Sequence, residues 1–214
     1  MAENLILWGA GTARTFRPHW ALIELDLPYT KKPIGPRTGE TKTEEYTKLN
    51  PRQKAPLLQD GDLTLGESAA IVAYLANTYA QNKSLVPSSR HDYAKWLEWC
   101  FFIVTELDST GLYVMRRHGT NKGLAHLYGD SPIVVSQAAE YFRQQLRFVE
   151  TALADGRKYL MGDQFTTADI LLTTCLTWAV DYDVGICDAA VPYLDRNVKR
   201  EAYIAAELAN SAVI

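Results

Sequence analysis

The chain has 214 residues, 47% of them hydrophobic and 22% charged, an ordinary globular composition that excludes disordered, collagen-like and coiled-coil classes. That length buries a sizeable core without disulfides or metal ions, and it accommodates one large domain or two small ones. The net charge is −3, and residues 1–80 balance nine Lys/Arg against nine Asp/Glu, so no basic face is offered to nucleic acid or to an anionic membrane.

At the N-terminus, MAENLILWGAGTART has no basic leader and only a short apolar run, unlike a signal peptide. No stretch approaches the roughly 20 apolar residues of a membrane span, which leaves the cytoplasm as the expected compartment. Leu5-Ile6-Leu7-Trp8, closed by Gly9-Ala10-Gly11, predicts a buried strand. Phe16, Trp20 and Ile23, at spacings of four and three, predict a helix with Thr15 as its N-cap and Pro18 in its first turn, where a missing N–H costs little. A second strand follows at Tyr29 to Lys32, then a polar loop over 34–43 and a short helix from Glu44 to Leu49 stopped by Asn50-Pro51. Leu57 to Gln59 and Leu63 to Leu65 flank Asp60-Gly61-Asp62, a hairpin signal, and another helix runs from Glu67-Ser68 to about Tyr79. The order β-α-β-α-β-β-α implies a right-handed βαβ crossover, hence a parallel strand pair, with an antiparallel hairpin beside it.

Residues 81–90 are polar, carry Pro87 and read as a linker between domains 1–80 and 91–214. The second domain is helical almost throughout. Tyr93, Trp96, Leu97, Cys100, Phe101 and Val104 recur at helical spacing, as do Ala138, Phe142, Leu146, Val149 and Leu153. From Ile170 to Ala179 apolar residues lie on every side, which predicts a helix central to a bundle. Thr166 and Asp169 fit a capping box at its start, with Phe165 and Ile170 in the positions of a hydrophobic staple. Cys100, Cys175 and Cys187 are odd in number and far apart, which argues against a disulfide framework or a zinc site. Cys100 and Cys175 read as buried structural thiols. The four histidines show no metal spacing.

Two places carry candidate chemistry. In LNPRQKAPLL a proline directly precedes a strand that belongs inside the sheet. A cis Ala55–Pro56 bond would turn the Ala55 N–H and C=O outward, where an extended peptide can pair with them. A trans proline opening an edge strand is the commoner arrangement, since cis makes up only about 5–6% of X–Pro bonds. Further on, Glu67 and Ser68 sit at a helix start. The N–H groups and partial positive charge there favour a carboxylate, Ser68 adds a hydroxyl and Glu67 can accept from an ammonium group, so the pair suits an α-amino-acid head group. An ordinary cap is the other reading of the same two residues.

In this order and spacing, LWGAGTARTFRPHWALIELDLPY, LNPRQKAPLL, DLTLGESAAIVAYL and FTTADILL resemble the glutathione transferase superfamily over nearly the whole chain. The resemblance implies a two-domain fold, α+β then all-α: an N-terminal thioredoxin-like domain followed by an all-helical bundle domain. It implies glutathione as co-substrate, no metal, and a homodimer. It assigns Ala55, ahead of a cis Pro56, to the cysteinyl backbone of glutathione, Glu67 and Ser68 to its γ-glutamyl end, and Gln53 and Lys54 to its glycyl end. Lys54 also suits the glycyl carboxylate by charge.

The family activates the glutathione thiol with Tyr, Ser or Cys near the start of the first helix. Aligning Arg17 with the family's usual Arg puts Ala13 at the serine position, and Ala13 has no hydroxyl. No Tyr lies in residues 1–28 and no Cys before residue 100, which disfavours those mechanisms and a protein-cysteine reductase. The thiolate is the reactive species and a free thiol has a pKa near 8.5. Lowering it by about two units takes about 2.7 kcal/mol, and a hydrogen bond to an anion supplies roughly 1.5–3 kcal/mol. One threonine hydroxyl with a helix N-terminus therefore suffices: Thr12 is the first candidate, Thr15 the second, a backbone N–H near Ala13 or Arg14 the third. The resemblance places a small hydrophobic electrophile between the domains. Tyr113, Arg116 and Arg117, near the end of a long helix, are candidate lining residues, and the tail 210–214, which ends on apolar residues, is a candidate lid. A glutathione-binding, ligandin-like protein and a glutathione-dependent peroxidase or isomerase are the alternatives.

Overall fold

Leu5 and Leu7 are buried while Ile6 and Trp8 are half-buried, the period-two burial that sets β1 (Leu5–Trp8) in the sheet. The computed structural model describes residues 4–79 and 83–211. Among these, β1, β2 (Tyr29–Lys32), β3 (Leu57–Asp60) and β4 (Leu63–Gly66) form one sheet in the order β2-β1-β3-β4. β1 and β2 are parallel, as a crossover through a helix requires, and β3 runs antiparallel to both β1 and β4. Asp60 pairs with Leu63 across a two-residue turn, in which Gly61 takes φ +55°.

The crossover helix α1 (Ala13–Glu24) starts three residues earlier than Thr15 as N-cap allows. Thr12 is the N-cap and Thr15 stands at the third helical position. Pro18 consequently lies in the second turn, where it removes the bond to the Arg14 carbonyl. A 3₁₀ turn (Glu40–Lys42) interrupts the expected loop and leads to α2 (Glu44–Leu49), capped by Thr43. After β4 comes α3 (Ser68–Thr78), whose Ile71, Val72, Leu75 and Ala76 are fully buried.

The helical region begins with α4 (Arg90–Phe102). It continues unbroken through a π-helical stretch (Ile103–Leu112), a turn of α-helix, α5 (Tyr113–Met115), and a second π-helical stretch (Arg116–Thr120). Tyr113 N–H reaches back five residues to the Asp108 carbonyl, and Asn121 N–H to that of Arg116. α6 (Lys122–Tyr128), α7 (Pro132–Leu153), α8 (Thr167–Asp181), α9 (Ala190–Val198) and α10 (Glu201–Asn210) follow. α8 is buried on every side, as its sequence requires, and each fully buried Leu or Ile contributes about 1.5–3 kcal/mol. Phe101, placed by spacing on an apolar stripe, is instead 68% exposed, whereas Cys100 and Cys175 are buried.

The chain divides into two compact units. One joins Met1–Val86 with Val198–Ile214 and the other is Pro87–Asn197. The last helix, α10, thus belongs with the sheet and not with the helical domain 91–214 that the sequence predicts. Of the expected linker at 81–90, residues 81 and 82 lie outside the described residues, as do the last three residues of the apolar tail. No helix among the described residues is long and apolar enough to cross a membrane.

Candidate functional site

The strand register brings three chain junctions to one end of the sheet. Trp8, the last residue of β1, pairs with Leu57, the first of β3, and Leu57 pairs with Gly66, the last of β4. Directly beyond these residues lie the Gly9–Thr12 turn into α1, the Ala55–Pro56 peptide, and Glu67–Ser68 opening α3. Ala55–Pro56 is cis. Gly9 shows how tightly the junctions pack. A Cβ there would meet Thr15 Cγ2 at 2.8 Å, Ala55 Cβ at 3.1 Å and Pro56 Cα at 3.3 Å, and its φ of +122° also demands glycine. Both helices start at this end, so their unpaired N–H groups and dipoles favour negative charge there.

Thr12 and Thr15 form a reciprocal capping box. Thr15 N–H donates to Thr12 Oγ1 at 3.1 Å, and Thr12 N–H to Thr15 Oγ1 at 3.0 Å. Thr15 is fully buried, and its one hydroxyl proton has the Thr12 carbonyl at 2.9 Å and Asn210 Oδ1 at 2.7 Å as acceptors. A sulfur atom arriving from solvent does not reach it. Thr12 is half-buried, and its hydroxyl meets Thr15 Oγ1 at 3.0 Å. Of the two threonines, Thr12 is the one whose proton can turn to a ligand. Ala13 and Arg14 supply the first N–H groups of the same helix.

Loop 50–56 is fixed by its own polar groups. The Lys54 carbonyl accepts from Tyr46 Oη at 2.7 Å and from Asn50 Nδ2 at 2.8 Å, while Asn50 Oδ1 accepts from Arg52 N–H. Gln53 has φ +53° and donates through Nε2 to Thr47 Oγ1 at 3.0 Å. The Lys54 side chain is exposed, Ala55 is half-buried and Pro56 is buried.

Across from this loop Glu67 also takes a left-handed conformation, φ +65°, a strained choice for a non-glycine residue of the kind that gathers at working sites. Its carboxylate pairs with Arg52 Nη2 at 2.6 Å, and both side chains are exposed, so the pair is worth no more than about 1 kcal/mol. Ser68 is buried, and its Oγ accepts from Nη1 of the buried Arg17 at 3.2 Å. That bond ties α1 to α3 and sets a cation behind the serine.

Two groups escaped the sequence reading. His19 packs under the Gly9 turn. Its Nε2 faces the Gly9 carbonyl at 3.0 Å and its Nδ1 faces Tyr29 Oη at 2.8 Å. Burial lowers its pKa from 6.5 to about 4, helped by Lys31 and opposed by the Gly9 bond. The ring is therefore neutral, with Nε2–H donating to Gly9. Asn210, at the end of α10, holds Gly11, Thr12 and Thr15 from almost 200 residues away.

The proposed lining residues lie in the other unit and are half-buried. The Arg117 guanidinium stacks over the Tyr128 ring at 4.0 Å and stands 5.9 Å from that of Tyr113, and Arg116 is 5.9 Å from the Trp178 ring. Trp178 itself is buried, as expected of a core residue. Among the described residues no three of His, Cys, Asp and Glu gather where a metal ion could be held.

Residues 3–77 match the glutathione S-transferase N-terminal domain and residues 132–205 the glutathione S-transferase C-terminal domain. Glutathione S-transferase PARB of Nicotiana tabacum is 31% identical over 160 residues, 73% of this chain and 72% of that protein. Glutathione S-transferase GstA of Escherichia coli O157:H7 is 32% identical over 172 residues, 78% of this chain and 74% of that one. The crystal structure of a glutathione transferase from Methylococcus capsulatus str. bath superposes with a TM-score of 0.80 at 27% identity, covering 98% of this chain and 100% of that chain. With two domain matches in the expected order and relatives aligned over most of their length, the chain belongs to the glutathione S-transferase family.

Proposed function

We propose that this protein is a glutathione transferase that binds glutathione across the three junctions and holds its sulfur as thiolate through Thr12. The observation that carries this reading is the half-buried Thr12 at the start of α1, at the sheet end shared with Ala55–Pro56 and Glu67–Ser68. The Ala55 peptide pairs with the cysteinyl backbone. Ser68 and the α3 N-terminus take the γ-glutamyl carboxylate, and Glu67 exchanges Arg52 for the ammonium group. Gln53 and Lys54 face the glycyl carboxylate. Thr12 stays protonated and donates to sulfur, and the thiol proton leaves to solvent. The thiolate then forms a bond to carbon of a small apolar electrophile, whose leaving group departs with the old bonding pair. A homodimer, on family grounds, a cytoplasmic location as the default compartment, and Tyr113, Arg116 and Arg117 as candidate neighbours of the electrophile complete the reading.

One titration tests it. The ultraviolet absorbance of thiolate, followed against pH at saturating glutathione, is expected to place the bound thiol about two units below its free value. Thr12→Val should return it most of the way, because one anionic hydrogen bond is worth roughly 1.5–3 kcal/mol, and affinity measured near pH 6.5, where only about half of the bound thiol is ionised, should change less than about threefold. Thr12→Ser should keep it low. A low pKa that survives Thr12→Val removes Thr12 from the mechanism. Ala13 at the family's serine position favours a second reading, a glutathione-binding protein with little transferase activity, and saturable binding with an unshifted thiol would select it. A lowered pKa without conjugation would point instead to peroxide reduction or isomerisation.

A further inference from the structure

The turn from β1 to α1 passes through Gly9, Ala10 and Gly11, with φ of +122° at Gly9 and +78° at Gly11. Glycines give such a turn wide backbone freedom. Yet this turn carries the Thr12 hydroxyl, whose direction decides whether it reaches a sulfur atom. Asn210, in the same compact unit, holds it at three points. Gly11 N–H donates to the Asn210 carbonyl at 2.7 Å. Asn210 Nδ2 donates to the Thr12 carbonyl at 3.2 Å. Asn210 Oδ1 accepts the Thr15 hydroxyl at 2.7 Å, the shortest of the contacts open to that proton. The first two bonds fix the Gly11 and Thr12 peptides, and the third draws the Thr15 proton away from Thr12 Oγ1.

We propose that Asn210 is a positioning residue for thiol activation, a clamp from the C-terminal helix that holds the Thr12 hydroxyl in the direction it donates. An amide fits the task because it presents a donor and an acceptor in one rigid fork. Alanine offers neither. Aspartate keeps the Thr15 acceptor but turns a second oxygen toward the Thr12 carbonyl. Glutamine keeps both groups on a longer stem. The inference rests on the reading of Thr12 given above, and glutathione contacts none of the Asn210 atoms in it.

The test compares wild type, Asn210→Ala and Asn210→Gln by thiolate absorbance at saturating glutathione, by glutathione affinity, and by turnover of a nitro-activated aryl chloride. Asn210→Ala is expected to raise the bound thiol pKa by about one unit, roughly tenfold less thiolate at pH values below it. Turnover near pH 6.5 should fall about fivefold, with the KM for glutathione within about twofold. Asn210→Gln should recover at least half of the pKa shift. A folded Asn210→Ala protein with the wild-type thiol pKa overturns the clamp and leaves the reading of Thr12 standing. Parallel loss of affinity and thermal stability in both variants, at an unchanged thiol pKa, also overturns it and makes Asn210 a structural residue. An unshifted thiol in the wild type overturns the reading of Thr12, and the clamp with it.

Discussion

His19 sets a pH limit on the part of the fold that shapes the site. Its buried ring has a pKa near 4, against 6.5 when unfolded, so between these values the unfolded chain binds a proton that the folded chain does not. Stability is then complete above pH 6.5 and is lost as pH falls through about 4, by about 3 kcal/mol for a shift of this size. Denaturant unfolding from pH 7 down to 4.5 should show the decline, and a His19→Gln variant should flatten it. An equal slope in the variant would assign the decline to other groups. Asp155 does not account for it. The guanidinium of Arg157 lowers its pKa to about 2, so it weakens the fold only below pH 3.8. Neither His19 nor Asn210 was legible in the sequence, because each acts on Gly9 to Thr15 through contacts that no local pattern encodes. Ala55, Pro56, Glu67 and Ser68 were marked as candidates by local signals, a proline against a strand and a polar pair at a helix start, while the cis bond and the roles came only with the resemblance. The two threonines fall between: the sequence ranks Thr12 ahead of Thr15 but makes Thr15 the cap, and the structure reverses the cap and buries Thr15.

Elements were legible where their ends are written in adjacent residues. The start of α8 is the clearest case, since Thr166 and Asp169 do form the reciprocal box. The structure extends that box into a buried network. Asp169 accepts from Leu160 N–H and Thr166 N–H at 2.8 Å, from Thr166 Oγ1 at 3.0 Å and from Tyr193 Oη at 2.8 Å. Burial pushes the carboxyl pKa up, and these four donors oppose it. Asp169→Ala leaves several buried donors without an acceptor and should destabilise the protein by about 3–5 kcal/mol, whereas Asp169→Asn, which keeps one oxygen, should cost less. Denaturant midpoints followed by tryptophan fluorescence check this, and a loss below about 1 kcal/mol for alanine would mean that water replaces the carboxylate. The π-helical stretches at Ile103–Leu112 and Arg116–Thr120 had no such signature. Their apolar spacing resembles that of an α-helix, and nothing in it marks the wider turn.

At the scale of the molecule, two helices far apart in the sequence pack on one another. α10 lies along α1 and is held at both of its ends. Arg200 Nη2 binds Glu24 Oε1 near the end of α1, with Arg200 Nε 3.2 Å from Glu24 Oε2, and Asn210 binds the start of α1. Between them the buried Tyr203 ring meets those of Phe16 at 4.9 Å and Trp20 at 5.0 Å, both edge-on. Hydrophobic spacing predicted each helix without predicting that they meet, since some 180 residues of sequence separate them. The arrangement makes the site depend on a segment that supplies no glutathione ligand in our reading. Tyr203→Ala removes a buried aromatic ring and should destabilise the N-terminal unit by about 3–5 kcal/mol. Because α10 also carries Asn210, the same variant should raise the pKa of the bound thiol, although residues 53–68 are untouched. Arg200→Ala, at the far end of α10, should lower stability and leave that pKa where it is. Measuring unfolding midpoints and thiol pKa for both variants separates packing from positioning. A Tyr203→Ala protein that is destabilised but keeps the wild-type thiol pKa would mean that α10 braces the sheet without directing Thr12.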